Sequence, residues 1–395
     1  MRPNVLHIVD SFQQGGTERQ AVQLVRLLAE GGRYRPLVAC LNAEGPLRAE
    51  VERLNLGEIP EYRLTSFYDR NFAAQLRRFA RFLRRSEVDI VHAHDFYTNV
   101  FGMPGAALAG VRARVASKRE TEGFRSRAQK FVERRAFQLA RRVVVNADAV
   151  GQMLKAEGVP ASKLVTVYNG LDAARVRPPL GFRREEALTA LGLPGLPPRR
   201  FVTIVANLRH AVKDHPTFLR AAARVRAEVS DAAFVLAGEG ELEQELREYA
   251  AELGIAPDVF FTGRCARVAE LLAVSDVCVL SSRAEGFSNA ILEYMAAGRA
   301  VVATDVGGAR EAIVEGETGH LVAAGDDAAL AARVAALLKD PARARAMGEH
   351  GRALVARKFS CEALLARTEE LYDRLLARDE ARASRSVGRV SSESA

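Results

Sequence analysis

Two glutamates eight positions apart, Glu285 and Glu293, bracket the run Glu285-Gly286-Phe287-Ser288-Asn289-Ala290-Ile291-Leu292-Glu293. The run separates a stretch of strand character, Val277 to Leu280, from a segment of helical periodicity that stops at Gly298. Glu285 therefore falls in a loop and Glu293 on the helix, where the first can reach sugar hydroxyls and the second a ribose diol. The N–H groups of Gly286, Phe287 and Ser288 open that helix and suit an anion. An acidic loop opening a surface helix would look the same by spacing alone.

A second run, Asn207-Leu208-Arg209-His210-Ala211-Val212-Lys213-Asp214, directly follows another apolar strand. Arg209 and Lys213 stand one turn apart there. Two cations at the carboxyl end of a strand can clamp a diphosphate and take up charge on the leaving group without a metal ion. Near the start of the chain, Gly15 and Gly16 lie between the strand Val5 to Val9 and a helix over Arg19 to Leu28. Glycines at such a junction let the backbone approach a phosphate, or simply make a tight turn. His92 and His94 end a further strand and share one face of it by alternation. His94, nearer the end, can bind a sugar hydroxyl or assist acceptor activation. No third ligand of suitable spacing accompanies the two, so no metal site is expected.

The elements that must hold these residues are short β-branched runs alternating with helical stretches: Val5 to Val9, Leu37 to Leu41, Ile90 to Val91, Arg142 to Val145, Phe201 to Ala206, Ala233 to Ala237, Val277 to Leu280 and Ala300 to Ala303. That alternation predicts α/β architecture with parallel sheets covered on both faces. At 395 residues, 48% of them hydrophobic, the chain exceeds what one core usually supports. Two Rossmann-like domains facing each other across a central cleft are expected: residues 1–172 for the acceptor and 200–360 for the donor. A proline- and glycine-rich linker, 173–199, would join them. A helix over 361–378 would pack back on the first domain, and 379–395 would be a disordered tail.

The Glu285 to Glu293 run resembles the donor signature of the large family of retaining glycosyltransferases called family four, or group 1. The resemblance continues through Met295-Ala296-Ala297-Gly298, Val301 to Asp305, Val306-Gly307-Gly308 and Glu311 to Gly319, and loosely over almost the whole chain. It implies the GT-B fold and transfer of a sugar from a nucleotide diphosphate, as UDP- or GDP-sugar, with the leaving diphosphate acting as the base. Glu285 would contact the donor sugar, Glu293 the ribose, and the intervening backbone the diphosphate. Gly15 and Gly16 resemble the family's N-terminal glycine loop. Asn169, in a turn Tyr168 to Asp172, and Gly238 and Gly240, after Ala233 to Ala237, match two further loops. Arg264 and Val268 would flank the base. The family usually carries an Arg where Asn207 stands, and this loop is one residue longer, which is why Arg209 and Lys213 are assigned the clamp.

From Arg112 to Arg142 basic residues are dense and interleaved with Phe124, Phe131 and Phe137. This reads as a positive amphipathic surface for a glycan or lipid-linked acceptor and for peripheral contact with an anionic membrane, or as a solvated arginine-rich face. The net charge of +8 alone does not choose between them. No apolar run approaches a membrane span and no signal segment opens the chain, so a cytoplasmic protein, peripheral on the inner face of the plasma membrane, is expected. Cys40, Cys265, Cys278 and Cys361 lack the spacing of a zinc site or disulfide framework. The absence of Trp argues against nucleic acid. No G-x-G-x-x-G opens a helix, no G-x-S-x-G is present, and no carboxylate pair stands as in a glycosidase. Apart from the nucleotide sugar as co-substrate, no cofactor is expected. The rival readings are a nucleotide-sugar epimerase on the same fold and a non-catalytic sugar- or nucleotide-binding relative.

Overall fold

The apolar runs pair into two parallel six-stranded sheets, one in each of two units: Met1–Asn169 with Cys361–Ala395, and Gly170–Ser360. The computed structural model describes residues 2–121 and 125–392, with side chains as far as residue 377. In the first unit the strands are β1 (Asn4–Val9), β2 (Arg35–Cys40), β3 (Ile90–Ala93), β4 (Ala113–Lys118), β5 (Arg142–Val145) and β6 (Leu164–Thr166). Their order is β2-β1-β3-β4-β5-β6. The sheet thus grows one way from β1 to β2 and the other way from β3 onward, so the loops after β1 and β3 part at a switch point, where open α/β sheets take ligands.

Val5, Ile90, Val115 and Val144 pack on Leu24 and Leu28 of the helix Gly16–Gly31 and on Leu364, Leu371, Tyr372 and Leu375 of the helix Cys361–Ser392. That apolar stripe holds the last helix to the first unit. The helix runs on to Ser392 instead of ending before a disordered tail at residue 379. The stretch is polar and serine-rich but lacks proline, so nothing in it forbids the hydrogen-bond ladder of a helix. Residues 393–395 lie outside the described residues.

The second unit contains β7 (Arg200–Val205), β8 (Ala232–Ala237), β9 (Val259–Gly263), β10 (Val277–Leu280), β11 (Ala300–Thr304) and β12 (His320–Val322), in the order β12-β11-β10-β7-β8-β9. Its switch point separates β7 from β10, which pair in parallel through Val277↔Val202 and Cys278↔Thr203. The loops carrying Lys213 and Glu285 follow these two strands.

Three expectations need correction. The stretch 173–199 is not a linker but part of the second unit. The helix Arg184–Ala190 buries Ala187 and Leu188, and with Leu193 they pack against Phe201, Val235, Leu271 and Val274. Its amphipathic side chains need that cover, which outweighs the flanking prolines. The basic region from Arg112 to Arg142 is likewise not one surface. It holds the buried strand β4 and the helix Arg127–Leu139, and Lys118 and Glu133 form an ion pair of 3.1 Å in which both side chains are less than a tenth exposed. Arg125 joins it by pairing with Glu133 at 2.7 Å and with Glu120. Phe137 is buried, Phe131 is exposed, and Phe124 lies outside the described residues. Finally, Tyr168 to Asp172 makes no turn at Asn169-Gly170, and neither residue takes a positive φ.

Candidate functional site

In the second unit the site begins where β7 and β10 release the chain. After β7, Ala211–Lys213 forms a single 3₁₀ turn that ends at Asp214, held at φ 48°. The Asp214 carboxylate is buried, accepts from Thr217 Oγ1 at 2.8 Å and pairs with Arg283 at 2.9 Å. These contacts tie the loop after β7 to the one after β10, as do the bonds from Ser281 Oγ to the Lys213 carbonyl and from Arg283 N to the Val212 carbonyl. Two of the expected site residues then meet. Lys213 Nζ donates to Glu285 Oε1 at 2.6 Å, and Ser282 Oγ donates to the same oxygen at 2.7 Å. A carboxylate oxygen so engaged has a fixed direction and is poorly suited to act as a nucleophile.

The loop after β11 supports Glu285 from behind. Gly308 N donates to the Gly286 carbonyl at 2.7 Å, and Gly307 sits at φ 54° with its missing Cβ only 2.1 Å from the Glu285 carbonyl oxygen. Only glycine permits this approach. Ser288 caps the helix Asn289–Ala296 by position and Glu293 stands one turn into it, half-buried. Phe287, expected beside the nucleotide, instead turns inward. It is buried with its ring 5.1 Å from that of Phe359, because an aromatic ring gains more from the core than from a polar loop.

Arg209 is half-exposed and pairs with Glu239 at 2.9 Å, while Lys213 engages Glu285. The two expected clamp residues thus meet different acids. Gly238 and Gly240 serve packing: a Cβ on Gly238 would lie 1.9 Å from the Ala206 carbonyl oxygen, and one on Gly240 2.2 Å from that of Leu208. They let the loops after β7 and β8 run in contact, with Leu208 N donating to the Glu239 carbonyl. Arg264 is exposed after β9, and Val268 opens the helix Val268–Val274.

The first unit gathers a different set at its own switch point. His7 and His92 are register partners on β1 and β3, so their side chains and that of His94 share a face. All three rings are buried. His7 Nδ1 lies 2.9 Å from His94 Nε2 with the rings stacked. His92 Nδ1 meets Tyr372 Oη at 2.7 Å and its Nε2 meets Ser117 Oγ at 2.9 Å. Burial drives all three imidazoles toward the neutral form, His7 to about 3, and Arg119 nearby pushes the same way. Arg119, itself lowered to about 10 by burial, donates from Nη1 to Asn169 Oδ1 at 3.0 Å.

Around the glycine loop the charge is negative. Gly15 caps the helix Gly16–Gly31, but the carboxylate of Glu18 lies against it, 2.2 Å from where a Cβ would be. The anion expected at Gly15 and Gly16 is here the chain's own glutamate. Asp10 and Glu18 are shifted upward by burial, and Asp95 reaches about 7 through burial and the charge of Asp10. Asp95 also caps the helix Phe96–Ala109, accepting from Thr98 N at 2.9 Å.

His7, His92 and His94 offer ring nitrogens within 4.8 Å of one another, the one such group among the described residues. Both nitrogens of His92 are bonded to other groups, and His7 Nδ1 and His94 Nε2 are bonded to each other. An ion at about 2.0–2.1 Å from each would have to break one of the two bonds of His92. The trio fits a hydrogen-bonded core better than a metal centre. Sequence reasoning named His94 but missed His7, Ser282, Arg119 and Tyr372. For His7 a signal existed, a histidine inside an otherwise apolar strand.

Known proteins resemble this chain in sequence and in fold. Residues 199–340 match the family model of glycosyl transferases group 1, and residues 14–175 that of glycosyltransferase family 4. The alpha-maltose-1-phosphate synthase of Mycobacterium tuberculosis (strain CDC 1551 / Oshkosh) is 30% identical over 318 residues, which cover 74% of this chain and 80% of that protein. The N-acetyl-alpha-D-glucosaminyl L-malate synthase of Bacillus anthracis is 33% identical over 213 residues, 54% of each chain, so this chain spans about half of that relative's length. Among solved structures, Anabaena Alr3699/HepE in complex with UDP superposes with a TM-score of 0.82 at 21% identity, covering 94% of this chain and 100% of that one. That likeness establishes the GT-B fold. With two doubly wound sheets, the Glu285 loop at one switch point and a relative matched over most of its length, the chain belongs to the group 1 glycosyltransferases.

Proposed function

We propose that the protein is a retaining, metal-independent hexosyltransferase that moves a sugar from a nucleotide diphosphate to a glycan or lipid-linked acceptor in polysaccharide or glycolipid synthesis. The observation that carries this reading is the Lys213–Glu285 pair at the β7/β10 switch point. A cation and a carboxylate fixed side by side suit a ligand that carries a diphosphate next to a ring of hydroxyls. Lys213 takes up charge on the leaving diphosphate, Glu285 orients the sugar, and Glu293 holds the ribose. Glu285 is engaged by Lys213 and Ser282, which favours front-face transfer over a covalent glycosyl-enzyme. The UDP carried by the HepE structure supports a uridine donor. The test is thermal shift against UDP, GDP and ADP with EDTA present. A ligand at 100 times its Kd stabilises by about 2.7 kcal/mol, so one nucleotide should raise the midpoint alone, and no shift with any of them would defeat the reading.

The acceptor belongs to the first unit. Two of its helices, Arg70–Arg85 and Arg127–Leu139, present Arg77, Arg78, Arg81, Arg84, Arg85, Arg134 and Arg135 to solvent, with Tyr68 and Phe131 exposed beside them. No described helix is long and apolar enough to cross a membrane. We infer peripheral attachment to an anionic bilayer on the cytoplasmic side, where a lipid-linked acceptor would be met.

A further inference from the structure

Four cations, Arg114, Arg141, Arg142 and Lys163, line one cavity of about 450 Å³ in the first unit. The sheet is parallel, so all four stand at its amino edge: Arg114 is the second residue of β4, Arg141 and Arg142 begin β5, and Lys163 directly precedes β6. The segments that carry His94 and Arg119 leave the opposite edge, a strand's length away, about 20 Å for six residues. The cavity is therefore separate from the switch point of its own sheet. Lys163 Nζ donates to the carbonyls of Phe137, Gln138 and Ala140 at 3.0, 2.7 and 2.9 Å, and Arg114 Nε donates to that of Leu139 at 2.7 Å. These two cations satisfy the end of the helix Arg127–Leu139 and more than offset its terminal dipole, which is equivalent to about half a charge. Arg141 and Arg142 exceed that need. No carboxylate lines the cavity, and the Arg141 guanidinium has no hydrogen bond or ion pair among the described residues. Ser162 is exposed and adds a hydroxyl to the lining. Burial first, and then the charges of Arg114, Arg141 and Arg142, push the Lys163 ammonium below its ordinary value. The cations thus repel one another in the fold, and an anion among them relieves the repulsion.

We propose that this cavity is a binding site for a phosphate group carrying two or more negative charges, held by the Arg141 guanidinium and the Ser162 hydroxyl in the field of Arg114, Arg142 and Lys163. A guanidinium fork meets two phosphate oxygens at once, and a hydroxyl donates to a third. Lys163 and Arg114 act through their charge, because their N–H groups are turned to the helix end. Free phosphate and the phosphomonoester headgroup of a lipid present the same chemistry to these groups. The site does not depend on the donor reading, since none of its residues belongs to the second unit.

The experiment has two arms, both on the full chain. In the first, inorganic pyrophosphate with EDTA present is titrated by calorimetry into the Lys213→Ala protein, which lacks the cation assigned to the donor diphosphate, and into the same protein carrying Arg141→Gln, Arg141→Lys or Ser162→Glu. The parent should bind, with an affinity that falls as salt is added. Arg141→Gln and Ser162→Glu should each weaken binding at least about tenfold, as for loss of a hydrogen bond to a charged group, and Arg141→Lys should weaken it less. Ser162 is exposed, so its replacement tests the site even where an arginine variant fails to fold. In the second arm, wild type and Arg141→Gln are sedimented with phosphatidylcholine vesicles that contain phosphatidic acid or phosphatidylserine at equal surface charge. A wild-type preference for phosphatidic acid that Arg141→Gln removes assigns the site to a lipid headgroup, and pyrophosphate binding without that preference assigns it to free phosphate. The proposal is overturned by a parent that neither binds pyrophosphate nor prefers phosphatidic acid. It is equally overturned by pyrophosphate affinities that are the same with and without Arg141→Gln and Ser162→Glu.

Discussion

Lys213 and Glu285, 72 residues apart in sequence, share a hydrogen bond of 2.6 Å because β7 and β10 are neighbours in the sheet. Each fixes the other's direction. Replacing either with Ala should lower kcat by about 10²-fold or more, as for removal of a transition-state donor. The double variant should lose far less than the product of the two, since the residues act as one unit. Steady-state kinetics on the three proteins, with circular dichroism to confirm the fold, checks this. Multiplicative losses would show that the two residues act separately.

Gly307→Ala tests the support behind that pair. A Cβ there would lie 2.1 Å from the Glu285 carbonyl oxygen, on a residue at φ 54°. Strain in the left-handed region costs roughly 1–2 kcal/mol before any clash is counted. The loop must therefore move, and we expect a destabilisation of about 1–3 kcal/mol together with a lower kcat. Urea titration and kinetics on the same preparation would read both, and an unchanged kcat would separate the loop's position from its chemistry.

The pH dependence of stability carries opposing signs from the first unit. His7, His92 and His94 are neutral in the fold, with His7 lowered to about 3 from 6.5. The unfolded chain takes up three protons as the pH falls through 6.5 and the fold does not, so stability is lost below that pH, by up to about 1.4 kcal/mol per pH unit for each histidine. Asp95 opposes this. Its folded value of about 7 lies above the unfolded 3.8, so the fold holds an extra proton between those values and loses stability as the pH rises through them. Asp10 and Glu18 shift in the same direction as Asp95. Asp95→Asn keeps an oxygen for the Thr98 cap and removes the opposing ionisation. Its stability should be higher than wild type at pH 8 and should fall more steeply between pH 7 and 5. Denaturant midpoints at four pH values decide the matter, parallel curves for the two proteins being the adverse result.

Membrane attachment predicts a charge effect that catalysis in solution should not feel. Arg77 and Arg81 are exposed on the helix Arg70–Arg85. Reversing both to Glu should weaken binding to phosphatidylserine vesicles by more than 2 kcal/mol, at about 1 kcal/mol for each basic residue removed. Turnover of a soluble acceptor should be unaltered. Equal sedimentation of both proteins with vesicles at low salt would argue that the face is merely solvated.

Much of the scaffold could be read from the chain because strands such as Phe201 to Ala206 and Val277 to Leu280 are apolar, β-branched and flanked by turn residues. β6 and β12 escaped because three residues carry no periodicity, and β4 because Arg114, Ser117 and Lys118 break its apolar run. Lys118 looked like surface charge. Its partner Glu133 lies on a helix that only the fold brings over the strand. The Glu285 loop was legible since its residues are contiguous, and Glu285 and Lys213 were each named from local runs. Their pairing depends on strand order, which short-range pattern does not encode. The same is true of His7: its partnership with His92 is a matter of register between strands separated by the whole of β2 and its helices.

The chain leaves the first unit after Asn169 and returns to it at Cys361. One unit is therefore nested inside the other, and the nesting orders events at the ribosome. The face formed by Val5, Ile90 and Leu24 is complete in sequence early, yet its cover of Leu364, Leu371 and Leu375 is synthesised last. At ordinary elongation rates the intervening unit takes on the order of ten to forty seconds to emerge. During that time the nascent first unit must wait with an open apolar face and with His92 lacking the Tyr372 hydroxyl. A chaperone that shields such faces, or an N-terminal half able to tolerate exposure, becomes a requirement for biosynthesis of this chain, and the first unit reaches its final form only when the helix from Cys361 docks.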